Sequence, residues 1–178
     1  MTRNTGQRMG RRGFLGTAAG VTAAVGVLKA STPAVAAASR KNNTVGIGFI
    51  GCGGRGYSLM TQFKWLQTEG GGNLRLTAAC DVYRPRLERM AREIGGRAYM
   101  DHRELLQDRD VDAVVIATPD HHHGYQAIDA MRAGKDLYCE KPLTHWRQFE
   151  LARQVAQVAR ETGRVFQLGT QGMSDHAW

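Results

Sequence analysis

Apolar residues along the chain alternate between short runs of strand length and longer stretches with one apolar face. Val45-Gly-Ile-Gly-Phe-Ile50 is such a run, ending at a glycine cluster, and predicts a first strand. A helix is predicted from near Gly54 through Tyr57, Leu59, Phe63 and Trp65 to about Gln67, followed by a loop over Glu69-Gly-Gly-Gly-Asn73. Leu74 to Cys80 reads as a second strand closed by Asp81. The next helix opens at Arg84-Pro85, since proline suits a first turn where its missing N–H would have no partner. Leu87, Met90, Ala91 and Ile94 share one face of it, and Gly95-Gly96 ends it. Arg97 to Tyr99 predicts a short strand and His102 to Leu106 one or two helical turns. Val111 to Ala117 reads as a buried parallel strand stopped by Thr118-Pro119, with a helix from about His122 to Ala133 capped by Gly134. Asp136 to Cys139 is a further strand, Glu140-Lys141-Pro142 a loop, His145 to Thr162 a long helix, and Val165 to Leu168 a last strand. Strands alternating with helices predict an α/β fold, a Rossmann-type doubly wound parallel sheet with right-handed crossovers.

Composition refines this picture at the N-terminus. The net charge is +8, but Arg3, Arg8, Arg11, Arg12 and Lys29 precede residue 37 with no acidic residue among them. Removing those five from 24 Lys+Arg leaves 19 against 16 Asp+Glu, or +3, so the basic balance argues for no nucleic-acid partner. Residues 1–38 combine this basic start with Arg11-Arg12-Gly-Phe-Leu15, an apolar Ala/Gly/Val stretch and small residues at Ala34-Val-Ala36 and Ala36-Ala-Ala38. That order reads as a twin-arginine export signal with an A-x-A cleavage site, the alternative being a disordered basic leader or a short amphipathic arm. The expected partner is the twin-arginine machinery and the expected destination the bacterial periplasm or exterior. A linker over 39–44 then leads to a dinucleotide-binding domain over 45–171. Cys52, Cys80 and Cys139 are too far apart for a zinc spacing and read as small buried residues.

The candidate chemistry lies at the predicted strand ends. Gly51-Cys-Gly53-Gly54-Arg55-Gly56 is a GxGxxG run that follows a strand and opens a helix, with an acidic residue at the end of the next strand. Gly51 permits the tight turn, Gly53 lets backbone approach a pyrophosphate, and Gly56 lets the helix pack near the strand, while the helix N-terminus offers free N–H groups. Asp81 is expected to accept from the adenosine ribose hydroxyls and to repel a 2′-phosphate, which favours NAD over NADP. Arg84 and Arg86 leave open that a phosphate binds there, or that they are solvated helix-start arginines. The run Ala117-Thr118-Pro119-Asp120-His121-His122-His123-Gly124 ends another strand; adjacent side chains on a helix start point about 100 degrees apart, so the three histidines are expected to hold no metal. Lys141 follows a strand directly, where a lysine can donate to a substrate oxygen and, if desolvated, exchange a proton.

Together, Gly51-x-Gly53-x-x-Gly56, Asp81, Thr118-Pro119-Asp120-x-x-His123, Ala133-Gly134-Lys135 and Glu140-Lys141-Pro142 resemble the glucose-fructose oxidoreductase, inositol dehydrogenase and rhizopine-catabolism (Gfo/Idh/MocA) family over about residues 44–171. The resemblance implies hydride transfer between a sugar or polyol substrate and a nicotinamide cofactor. It implies that Lys141 contacts the reacting hydroxyl, that Glu140 helps shape the nicotinamide pocket, and that Thr118, Pro119 and His123 line the cofactor cleft. It also admits a glycosidase that uses bound NAD for transient oxidation, or a nucleotide-binding module without catalysis. Family chains are about twice as long, with a second α/β domain that carries oligomerisation; that domain is expected to be missing here, and 172–178 to be its truncated start.

Overall fold

The computed structural model describes residues 44–174, all within a compact unit spanning Arg40–Trp178. The export signal with Arg11 and Arg12, most of the linker and the last four residues lie outside the described residues. The described elements are β1 (Val45–Ile50), α1 (Gly54–Thr68), β2 (Leu74–Cys80), α2 (Arg84–Ile94), β3 (Arg97–Tyr99), α3 (His102–Gln107), β4 (Ala113–Ile116), α4 (Asp120–Arg132), β5 (Asp136–Glu140), α5 (Phe149–Thr162), β6 (Phe166–Gly169) and a closing 3-10 turn, Gln171–Ser174. The strands form one sheet in the order β3-β2-β1-β4-β5-β6, and every pairing is parallel.

Alternation along the strands sorts the apolar side chains onto two faces. Ile47 and Phe49 of β1 join Val115 of β4 in a core that packs under Leu59 and Met60 of α1 and Leu87 and Met90 of α2. Ile50, Val114 and Ile116 point the other way, into a core with Leu105 of α3, Ala127 and Met131 of α4 and Val155 of α5. Phe49 is wholly buried and meets Phe63 edge-on at 5.8 Å. Burying one such side chain is worth about 1.5–3 kcal/mol. Because both faces are covered, the inner strands carry almost no polar positions; Thr77 is an exception, and its hydroxyl donates to Ile47 O at 2.9 Å.

The strand order reverses between β1 and β4. At such a switch point the chains leaving the two carboxyl ends diverge and open a crevice. β1 delivers Gly51 to that crevice and β4 delivers Thr118.

Several boundaries move from those the periodicity predicts. α4 begins at Asp120, two residues early, because Pro119 already has the φ of −59° that a helix start needs and Asp120 complements the helix dipole. β4 begins at Ala113 because Asp112 bonds the Gly46 N–H through its side chain and Val111 turns back onto Asp108 O. α5 begins at Phe149, four residues late: the Gln148 side chain accepts from His145 N–H and donates to His121 O, which holds the preceding segment in a turn. Glu140, read as loop, is the last residue of β5 and pairs with Gly169, and β6 itself is shifted one residue along.

Candidate functional site

The glycine turn separates what the fold needs from what a ligand needs. Gly51 has φ +95°, and a Cβ there would lie 2.7 Å from the Ala117 carbonyl. At Gly56 a Cβ would come within 1.8 Å of Gly51 O. Both positions are therefore closed to side chains by the chain itself. Gly53 is different: its backbone is extended (φ −68°, ψ −172°), and a Cβ there would meet nothing nearer than Arg86 Nη1 at 3.8 Å. Its missing side chain leaves space on the cleft side. Gly53 caps α1 with no side-chain hydrogen bond, and the first turn holds no acidic residue. Tyr57 N–H makes the first helical bond, to Gly53 O, so the amides of Gly54, Arg55 and Gly56 have no intrahelical acceptor. A cradle of open backbone and unclaimed N–H groups at a helix N-terminus fits a phosphate diester, and with it a dinucleotide.

A cleft of about 850 Å³ runs from this turn past Asp81, Tyr83 and Arg86 to Thr118 and Tyr125. Asp81 is half-buried at the end of β2. One carboxylate oxygen accepts from Cys52 N–H at 2.7 Å and the other from Tyr83 N–H at 2.8 Å. These bonds aim the carboxylate and use two of its four lone-pair positions, leaving capacity for a hydroxyl pair.

A second cleft of about 460 Å³ shares Arg55, Ala117 and Thr118 with the first and continues to Asp120, Glu140 and Lys141. Glu140 organises it. Its side chain is 6% exposed, yet Oε1 accepts from Arg55 Nε at 2.7 Å, Arg55 Nη2 at 2.6 Å, Gln171 Nε2 at 2.6 Å and Tyr138 Oη at 3.2 Å. Oε2 accepts from the Lys141 backbone N–H at 3.2 Å. A buried carboxylate requires such partners. The Glu140 bond also strengthens the hold of Arg55 on its proton, while burial, with Glu140 nearby, pushes the Tyr138 phenol up. Lys141 itself is exposed and lines the second cleft, its backbone anchored by Glu140.

His123 links the two turns of the site. It is buried, with Nε2 2.7 Å from Thr118 O and Nδ1 2.7 Å from Pro142 O. Both partners are carbonyl oxygens; a neutral ring donates to one of them and an imidazolium to both. Thr118 donates through its hydroxyl to Gln126 Oε1 at 2.6 Å, and Pro119 caps α4. The His121 and His122 rings lie 4.1 Å apart between centroids, tilted by 45° to each other, while His123 turns inward. Burial, with His121 next, pushes His122 down from its ordinary value. The three cysteines are buried, and burial pushes each thiol up to about 12.

The residues singled out in the sequence thus gather along one edge of the sheet, but two of them sit differently from what spacing alone implies. Arg55 belongs to the glycine motif, yet its guanidinium turns to Glu140, 85 positions along the chain. Of the two arginines after Asp81, Arg86 lines the cleft and Arg84 does not. Gln171 and Tyr138 join the site without having been singled out; Gln171 lies just beyond the carboxyl end of β6, which was the available signal, whereas Tyr138 is the central residue of β5 and carried none.

Comparison with known proteins agrees with this geometry. The sequence model of an oxidoreductase family with an NAD-binding Rossmann fold matches residues 45–170. The scyllo-inositol 2-dehydrogenase (NAD(+)) of Bacillus subtilis is 35% identical over 105 residues, covering 58% of this chain and 30% of that protein. A glycosyl hydrolase family 109 protein of Shewanella sp. (strain MR-4) is 34% identical over 158 residues, covering 75% of this chain and 33% of its own length. The chain therefore spans about a third of the length of these relatives. The crystal structure of scyllo-inositol dehydrogenase from Lactobacillus casei with bound NAD(H) and scyllo-inositol superposes with a TM-score of 0.67 at 29% identity, over 75% of this chain and 38% of that one. The open cradle at Gly53, the carboxylate at the end of β2 and the match over residues 45–170 lead to one conclusion: this chain belongs to the Gfo/Idh/MocA oxidoreductase family, and the described sheet is its NAD-binding Rossmann domain.

Proposed function

We propose that this chain holds NAD for hydride exchange with a sugar- or polyol-type substrate. The observation that carries the proposal is the continuity of the two clefts, with the phosphate cradle in one, Lys141 in the other, and Arg55 and Thr118 common to both. A bound nicotinamide would give or take the hydride. The protein's own groups have distinct tasks. The amides of Gly54, Arg55 and Gly56 donate to the pyrophosphate, and Gly51 and Gly56 keep that turn in place. Asp81, already aimed by two backbone bonds, accepts from the ribose hydroxyls, and its charge disfavours a 2′-phosphate, which supports NAD over NADP. Lys141 donates to the reacting oxygen of the substrate and exchanges its proton. Glu140 holds the Lys141 backbone, and His123 ties the Pro142 carbonyl to the Thr118 turn. Cyclitols are the substrate class that the inositol dehydrogenase relatives support.

A protein with Lys141→Ala should keep its NADH affinity within about threefold and lose most hydride transfer, since general acid-base groups contribute roughly 10²–10⁴-fold. Unchanged turnover would remove Lys141 from the reaction. A second reading, a glycosidase that oxidises its sugar only transiently on bound NAD, is supported by the family 109 glycosyl hydrolase relatives. Net NADH accumulation with free sugars supports the first reading; cleavage of a nitrophenyl glycoside without net NADH supports the second. For the outer residues, the order of Arg11-Arg12, the apolar stretch and the Ala-rich site supports twin-arginine export to the periplasm. Replacing Arg11-Arg12 with Lys-Lys should then retain a fused reporter in the cytoplasm, and continued export would remove that assignment.

A further inference from the structure

Of the two arginines nearest the glycine turn, the one inside the motif has its charge engaged elsewhere. Arg55 directs Nε and Nη2 to Glu140, and that carboxylate neutralises it. Arg86 reaches the turn from the opposite side, from the first turn of α2. Its Nη1 lies 3.8 Å from where a Gly53 Cβ would stand, next to the space that glycine leaves open. Its guanidinium leans over the Tyr83 ring at 5.4 Å, and it has no carboxylate within ion-pair distance among the described residues. Arg84, two residues earlier on α2, does not line the cleft.

We propose that Arg86, and not Arg55, is the cationic partner of the cofactor pyrophosphate, closing over it from α2 while the α1 amides bind it from below. This rests on the reading of the cleft as a dinucleotide site. A dinucleotide brings two negative charges to a cradle whose only fixed complement is the helix N-terminus, worth roughly half a charge. A guanidinium beside Gly53 supplies the remainder and can donate two parallel N–H bonds to one phosphate. Gly53 and Tyr83, the residues Arg86 lies against, both flank Asp81, whose carboxylate repels a 2′-phosphate, so a bridging phosphate at the glycine turn is the anion left for the guanidinium.

The test is calorimetric titration of the 178-residue chain, unmodified and as Arg86→Met, Arg86→Lys and Arg84→Met, with NAD⁺, NADP⁺, ADP and adenosine. Loss of a charge-assisted hydrogen-bonded partner predicts a rise of roughly ten- to a hundredfold in Kd for Arg86→Met. That rise should be shared by NAD⁺, NADP⁺ and ADP and absent for adenosine. Arg86→Lys keeps the charge and should show a smaller loss, and Arg84→Met should leave every Kd unchanged. Thermal melts confirm that each variant is folded; if Arg86→Met does not fold, Arg86→Lys carries the comparison through the same ligand pattern. A loss confined to NADP⁺ would move Arg86 to the 2′-phosphate, and an unchanged ADP affinity would leave it without a phosphate role; either result overturns the proposal. If the unmodified chain binds ADP no more tightly than adenosine, the cradle itself is not a phosphate site, and if it binds no nucleotide at all, the dinucleotide reading fails with it.

Discussion

Gly53→Ala isolates ligand binding from folding in a way the other motif glycines cannot. The backbone at Gly53 is extended, so alanine enters without conformational strain, and its Cβ meets only Arg86 Nη1 at 3.8 Å, an ordinary contact. The restriction of the unfolded chain favours alanine by about 0.4–1 kcal/mol, while alanine is a poorer N-cap than glycine by a similar amount. The two terms nearly cancel, and folding stability should change by less than about 1 kcal/mol. Binding should respond far more. The new methyl occupies the space through which a pyrophosphate approaches the α1 amides, and displacing the phosphate breaks at least one charge-assisted bond, about 1.5–3 kcal/mol or roughly ten- to a hundredfold in Kd. Gly56→Ala is the matched control with the reverse pattern. Its Cβ would sit 1.8 Å from Gly51 O, a backbone atom that cannot step aside, and the helix must lift away from β1 at a cost of about 2–4 kcal/mol. NADH fluorescence titration and urea unfolding on both variants give the four numbers required. Undiminished NADH affinity in a folded Gly53→Ala protein would refute the cradle, and a Gly56→Ala protein of normal stability would refute the packing argument.

Glu140→Gln keeps the shape of the side chain but removes the charge that Arg55, Gln171, Tyr138 and the Lys141 N–H share. Because Arg55 is 43% exposed and can regain water, the loss should be limited to about 1–2 kcal/mol in urea unfolding; no change would mean that Glu140 does not anchor the second cleft. Away from the site, Asp108 accepts two forked bonds from Arg97 and one from Tyr99. Burial opposes its charge, but Arg97, the Asp110 N–H and Tyr99 together hold its carboxyl below the ordinary value. A depressed folded value means that this stabilisation is complete above the ordinary carboxylate range near 4 and is lost as pH falls through the lower folded value. Stability measured from pH 6 down to pH 2 should therefore fall more steeply for the unmodified chain than for Asp108→Asn, and parallel curves would contradict the assignment.

What the sequence determined by itself was the order and kind of the elements and the edge on which the site lies. Those rest on local physics: short continuous apolar runs such as Val45–Ile50, proline at a helix start, and glycines at helix ends, each readable within a few residues. The family matched over residues 45–170 is the one those strand-end motifs resemble. Boundaries were less legible where a distant partner decides them. α5 starts at Phe149 only because Gln148 bonds the carbonyl of His121, and Glu140 is a strand residue only because Gly169 pairs with it. The roles within the glycine turn were decided in the same way. Three glycines look alike in sequence, yet two are closed off by Ala117 and Gly51 and one opens on the cleft. Arg55 and Arg86 are likewise equivalent cations in a list of residues, and their division of labour depends on a carboxylate brought from β5 to the start of α1. Local pattern selects the fold because hydrophobic periodicity acts along the chain; charge and reach act through space, and only the folded sheet sets which groups meet.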